Sequence, residues 1–408
     1  MARVDLTNAK RAKKDEFYTQ LGDISKELKF YKPYFKDKVV FCNCDDPYES
    51  NFFKYFALNF NYFGLKKLIA TCYNGSPIAG DELPLLFDDM GDEPKKIAYK
   101  VEITEVKDYN GDGAVNLTDV QYLIQNDKNV LSRLKGNGDF RSPECVELLK
   151  EADIVVTNPP FSLFREYVAL LVKYQKQYVI IGNTNSLACK EIFGLFQNDQ
   201  IRTGYTNFNV GMFFYVPDSF EKYHHIENGK KIARVSTSCW YTNLPVAKHN
   251  EDIILYKKYS PEEYPKYDNY DAINVDSYRD IPCDYYGVMD VPLTFLDKYN
   301  PNQFELLGST QRGCHELVPD TKKYDEYWEC KPNGEKTGSS GGKTNENGNL
   351  LKNDGKHNYF ENAEGRQIQS AYSRIFIRRR QNNIINYQQQ QESELPMAAE
   401  EQAKYNKL

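Results

Sequence analysis

Apolar residues in this chain come mostly in short runs bounded by polar turns. Val39-Val40-Phe41, Leu68-Ile69-Ala70-Thr71-Cys72-Tyr73, Ile154-Val155-Val156 and Tyr178-Val179-Ile180-Ile181 are nearly continuous, as strands buried on both faces are. Between them lie stretches of helical period: Phe52, Phe53, Phe56 and Leu58, then Val146 to Leu149, then Ser162 to Lys173 with Ser162 as N-cap. This alternation predicts an α/β domain with a parallel sheet. Gly211 to Val216 and Lys231 to Tyr241, with Asn228-Gly229 between them, predict an antiparallel hairpin that closes the sheet.

One run ends unlike the others. Asp153-Ile154-Val155-Val156-Thr157 stops at Asn158-Pro159-Pro160-Phe161. Two prolines cannot continue a ladder, so Asn158 is presented at the carboxyl end of a strand, where open α/β sheets bind ligands. The Asn158 side-chain oxygen and the Pro159 carbonyl are two acceptors that can grip both hydrogens of a planar amino group. Phe161 can lie on the ring that carries it. This is the chemistry of amino-group methylation by S-adenosylmethionine. The bland alternative is an ordinary strand-to-helix turn.

The remaining turns are less distinctive. Val39-Val40-Phe41 runs into Cys42-Asn43-Cys44-Asp45-Asp46-Pro47, a nucleotide-type entry without glycines, so Asp45, Asp46 or backbone amides must serve a cofactor. Asp139-Phe140, in the turn before a helix, suits an adenine ring and its amino group, and suits an ordinary solvated turn equally. Trp240 is either core or an aromatic wall of a substrate pocket. Residues 75–138 read as an insertion. Within it, Asp108, Asn110, Asp112 and Asp119 follow calcium-loop spacing, with Gly113 at position 6. Asp119 replaces the usual Glu, and a strand precedes the loop. Calcium and an incidental Asn-Gly-Asp-Gly turn are both open.

Past residue 260 tyrosines, prolines and charges dominate. Residues 331–358, rich in Gly, Asn, Lys and Ser, predict a long flexible loop. The stretch 366–380 is free of acids and carries Arg366, Arg374, Arg378, Arg379 and Arg380, which suits phosphate contact. The Gln-rich tail, 381–408, predicts disorder. The net charge of -6 means any nucleic-acid surface is local. No apolar run approaches a membrane span and no signal core is present, so a cytoplasmic protein without a membrane partner is expected. Nine cysteines without CxxC pairs fit a reducing compartment.

Together, DEFYTQ (15–20), FCNCDDP (41–47), GDFRSPE (138–144), DIVVTNPPFSLFREYV (153–168), IIGN (180–183) and GVMDVPLTFLDKYNPNQFELLG (287–308) resemble the EcoRI-type family of adenine-specific DNA methyltransferases over roughly residues 10–380. The resemblance implies a Rossmann-like S-adenosylmethionine (SAM) sheet in residues 1–260, a DNA target-recognition region in 261–380, and N6 methylation of a flipped adenine in duplex DNA. It implies that Phe17, Tyr18 and Thr19 form a cofactor wall. Asp45, Asp46 and Pro47 would form the first cofactor turn, Asp139 and Phe140 the adenine turn, and Asn158 to Phe161 the catalytic motif. Phe161 and Trp240 would face the base, and Arg366, Arg374, Arg378 and Arg380 the DNA. A cognate restriction endonuclease is a candidate partner. The competing readings are an RNA or protein-glutamine amino-methyltransferase, and a non-catalytic DNA-binding relative.

Overall fold

The computed structural model describes residues 18–381, except 45, 48–49, 75–97, 127–129, 217, 219, 222, 311–316 and 319. Phe17, Asp45 and the tail from residue 382 therefore lie outside the described residues. The chain divides into two compact units. Unit 1 is 1–186 with 201–246, and unit 2 is 187–200 with 247–408. The expected catalytic region, 1–260, spans unit 1 and two pieces of unit 2.

Unit 1 is mixed α/β. Its large sheet contains β2 (Val39–Cys42), β3 (Lys67–Thr71), β4 (Tyr99–Ile103), β5 (Leu131–Arg133), β6 (Ile154–Thr157), β7 (Gln177–Asn183), β8 (Arg202–Thr203) and β12 (Ser238–Thr242). The order is β5-β4-β3-β2-β6-β7-β12-β8. The four central strands, β3, β2, β6 and β7, are mutually parallel, and they are the apolar runs of the sequence. The flanking pairs β3–β4 and β7–β12 are antiparallel. The hydrophobic residues of the central strands are buried, which fits strands covered on both faces.

A second sheet in unit 1 joins β1 (Tyr18–Thr19), β9 (Met212–Val216), β11 (Lys230–Val235) and β10 (His225–Glu227) in the order β1-β9-β11-β10. This corrects the expected hairpin. Asn228 and Gly229, at φ 47° and 78°, form the two-residue turn between β10 and β11. The stretch 231–241 divides between two sheets: β11 pairs with β9, and β12 with β7. Turn chemistry marked the reversal but not the sheet in which it lies.

Among the described residues, unit 2 holds two sheets. One orders β13 (Ile273–Asn274), β14 (Met289–Pro292), β21 (Arg374–Arg379) and β15 (Phe304–Ser309). The other orders β17 (Lys336–Ser340), β16 (Trp328–Cys330), β19 (Tyr359–Glu361), β20 (Gln367–Ser370) and β18 (Asn349–Leu350). The expected loop 331–358 is thus built into a sheet. It escapes a hydropathy pattern because polar groups hold it. Buried Asn349 donates to the Thr344 carbonyl at 2.5 Å, and its own N–H reaches Asn269 Oδ1 at 2.8 Å. Among the described residues, no helix is long and apolar enough to cross a membrane.

Candidate active site

The distinctive turn sits where the sequence placed it, at the carboxyl end of a central parallel strand. Pro159 and Pro160 are buried, and Asn158 and Phe161 are half-buried. Phe161 to Leu163 form one 3-10 turn before the helix Phe164–Lys173, so that helix starts after Leu163 and Ser162 does not cap it. The helix buries Phe164, Tyr167, Val168 and Leu171, which pins the outgoing chain. Phe161 meets the edge of Phe214 on β9, with ring centroids 6.1 Å apart. The Thr157 hydroxyl donates to the Asn43 carbonyl in the turn after β2. The two strand-end turns are therefore tied directly to each other.

Around that tie, neighbouring strands support the rest of the candidate site. Buried Asp46 accepts from the Tyr99 hydroxyl at 2.7 Å. Burial and the Asp46 charge push the Cys72 thiol, at the end of β3, up to about 12. Tyr18 and Thr19 pair with Tyr215 and Phe214 of β9, which places them beside the strand that touches Phe161. Asn51 Nδ2 donates to the Thr19 carbonyl at 2.8 Å. Two buried polar atoms here, Thr19 Oγ1 and Asn43 Nδ2, have no hydrogen-bond partner among the described residues. Such atoms are costly unless a ligand or water satisfies them.

The Asp139 turn is built against the end of β3. Gly138 has φ +78°, and a Cβ there would stand 2.0 Å from the Cys72 carbonyl oxygen. Asn74 N–H reaches the Asn137 carbonyl at 2.9 Å. Phe140 is buried edge-on against Tyr167, at 5.0 Å between centroids. The Arg141 fork grips both Asp139 oxygens, at 2.9 and 2.7 Å, and reaches Glu166 at 2.9 Å. The Arg141 guanidinium holds the Asp139 carboxyl below its ordinary range.

Comparison with known proteins places the chain in a family. The family model described as adenine-specific methyltransferase EcoRI matches residues 5–380. The chain belongs to that family. It is similar to the type II methyltransferase M.EcoRI of Escherichia coli, with 47% identity over 74% of this chain and 88% of the relative. It is also similar to M.MpnI of Mycoplasma pneumoniae, with 38% identity over 78% of this chain and 89% of the relative. A third relative, M.MgeORF184P of Mycoplasma genitalium, is 36% identical over 73% of this chain and 84% of its own. No solved structure matches. The chain is thus an adenine-specific methyltransferase of the EcoRI family, with a large mixed sheet compatible with a methyltransferase fold.

Other expected positions fall differently in the methyltransferase. Trp240 is fully buried on β12 against Phe52, 5.9 Å between centroids, so it is a core residue and not a pocket wall. Arg366 pairs with Asp268 at 3.0 Å, and Arg374 with Asp276 at 3.1 Å. The acid-free stretch thus finds its acids elsewhere in unit 2, and these two arginines anchor its sheets. Arg378 and Arg380 remain exposed. In the 108–119 loop, Asp108 accepts from the N–H groups of Gly111, Asp112 and Gly113, and buried Asp119 accepts from those of Tyr109, Asn110 and Asn116. Among the described residues, no three His, Cys, Asp or Glu side chains gather to hold a metal ion. Sequence reasoning missed Tyr99, Arg141 and Phe214 as supports. Only the Arg inside GDFRSPE carried a signal; the other two are brought in by strand pairing.

Proposed function

We propose that the chain methylates adenine N6 in duplex DNA, using S-adenosylmethionine held on a Rossmann-like sheet, and that the base is flipped out of the stack to be reached. The observation that carries this is the Asn158-Pro159-Pro160-Phe161 turn tied by Thr157 to the Asn43 carbonyl. Asn158 Oδ1 and the Pro159 carbonyl accept the two amino hydrogens. That draws the nitrogen out of conjugation and stabilises its developing positive charge. Phe161 covers the ring. The bound cofactor supplies an electrophilic methyl group. Thr19 Oγ1 and Asn43 Nδ2, buried and unsatisfied within the described residues, fit the polar end of that cofactor. Tyr18 and Thr19 belong to the cofactor wall, Asp46 and Pro47 to the first cofactor turn, and Asp139 and Phe140 to its adenine turn. Unit 2 is the target-recognition region, with Arg378 and Arg380 on phosphate. The type II relatives support a place beside a cognate restriction endonuclease. Transfer of labelled methyl from SAM to duplex DNA, with RNA and protein as parallel acceptors, tests the reading. Label in RNA or protein alone would replace it.

The 108–119 loop has the spacing of a calcium loop, and we propose a structural ion there. Its carboxylates already accept backbone N–H groups, but each keeps further lone pairs. Calorimetry at millimolar calcium should show binding that Asp112→Ala removes. Absence of heat in the unaltered protein would discard the ion.

A further inference from the structure

Along the segment that enters unit 2, side-chain burial alternates as it does in an extended chain. Ile253, Leu255 and Lys257 are half-buried, while Ile254, Tyr256 and Lys258 are exposed on the other edge. Ile254 is 85% exposed and Tyr256 67%. One exposed apolar side chain needs no explanation. Two in succession on one edge, followed by a cation, ask for one because the segment is held rigidly. Gln303 clamps Ile253, accepting its N–H at 2.7 Å and donating to its carbonyl at 2.8 Å. Cys283 N–H donates to the Lys257 carbonyl at 2.8 Å.

The same two anchors hold the arginines. Arg380 N–H donates to the Gln303 carbonyl at 3.0 Å, and the Arg379 guanidinium donates to the Cys283 carbonyl. Arg378 to Arg380, with Tyr286, Glu305 and Gln381, line a cavity of about 440 Å³. Three guanidinium groups against one carboxylate leave it cationic. The apolar edge and the arginine cavity are thus fixed to each other through Gln303 and Cys283.

We propose that Ile254, Tyr256 and Lys258 form a DNA-contacting edge beside the arginine cavity. The proposal rests on the reading of Arg378 and Arg380 as phosphate ligands. The two apolar side chains pack on sugar faces and base edges, as apolar groups do in DNA grooves. Alternate residues of an extended chain stand about 6.6 Å apart, close to two nucleotide steps of about 3.4 Å. Charge selects duplex DNA over a second copy of the chain. A two-fold contact centred on this edge would bring the arginine cluster near its own copy, whereas a polyanion complements it.

The test uses the full chain and a short duplex carrying a target site, titrated across a salt series. Tyr256→Ala should weaken binding about tenfold at every salt concentration, with the log–log salt slope unchanged, because an apolar packing contact and no phosphate contact is lost. Tyr256→Phe should keep wild-type affinity. Ile254→Ala should give a smaller loss with the same slope. The Arg378→Ala, Arg380→Ala double variant should lower the slope. If Tyr256→Ala binds like wild type while the arginine variant loses slope, the edge is refuted and the phosphate reading stands. If only Tyr256→Ala weakens binding, the edge stands and the phosphate reading falls. If Tyr256→Ala turns a dimer into a monomer in sedimentation and leaves DNA affinity unchanged, the edge is a self-association face and the proposal is overturned. Both positions are exposed, so an unchanged melting temperature checks that each variant is folded.

Discussion

In the proposed mechanism Asn158 brings one acceptor to the reacting amine, and the Pro159 carbonyl brings the other. Truncating a preorganised group that meets developing charge costs about 10²-fold or more in turnover. Asn158→Ala should therefore lose that much methyl transfer while SAM binding survives, because the side chain serves the substrate. Calorimetric binding beside single-turnover rates checks both halves, and a wild-type rate would discard the grip. A second side chain matters to unit 2. Asp290 on β14 is fully buried, and burial raises its carboxyl to about 8, opposed by Arg374 and the Tyr267 hydroxyl; Tyr270 also lies in range. A carboxyl with a raised folded pKa contributes stability at low pH and loses it as pH climbs through about 8. Wild-type stability should thus fall between about pH 4 and 8 and level off above that. Asp290→Asn should flatten that slope and raise the melting temperature at pH 9 by at least about 3 °C. An unchanged pH profile in the variant would show that Asp290 is ionised throughout. Asn158 was legible from its own sequence neighbours. The burial of Asp290 was not, because a lone Asp in a short apolar run reads equally well as an edge residue.

Elements were legible where hydropathy alone decides them. The four parallel strands are continuous apolar runs, and helices follow three of them. Legibility ended where hydrogen bonds replace apolar contact, as around Asn349, and where one chain segment serves two sheets, as at β11 and β12. The turn Gly138-Asp139-Phe140 shows what a motif string conceals. Its glycine is required by the Cys72 carbonyl, 2.0 Å from where a Cβ would stand, and by φ +78°. Gly138→Ala should force the turn off the end of β3 at a cost of roughly 2 kcal/mol or more. Asp139 and Phe140 would move with it, so SAM affinity should fall at least about tenfold, by about 1.4 kcal/mol, while Asn158 keeps its place just after β6. Retained cofactor affinity in a folded Gly138→Ala protein would separate this turn from the cofactor site.

A chain of net charge -6 repels a polyanion at long range, so its affinity for DNA has to be local and short-ranged. The acid-free stretch of the sequence suggested five arginines for that task, and the fold sorts them. Arg366 and Arg374 are held by Asp268 and Asp276, and Arg379 donates to Cys283 and lies over Tyr286 at 5.1 Å. Arg378 and Arg380 stay exposed, as alternation along a strand demands when Arg379 turns the other way. Arg378 shares Glu305 at 2.9 Å, a surface pair that contributes little and yields easily to a phosphate. Arg380 is steered by the Pro301 carbonyl at 2.7 Å and keeps other donors for DNA. Each phosphate neutralised releases about 0.9 of a counterion, so replacing both arginines by Ala should reduce the salt slope by roughly one to two. The loss should be equal for cognate and unrelated duplexes, since phosphate contacts carry no sequence. Binding measured on both duplexes across a salt series decides it. A loss confined to the cognate duplex would assign these arginines to base edges, and an unchanged slope would move the DNA face to residues 285–325.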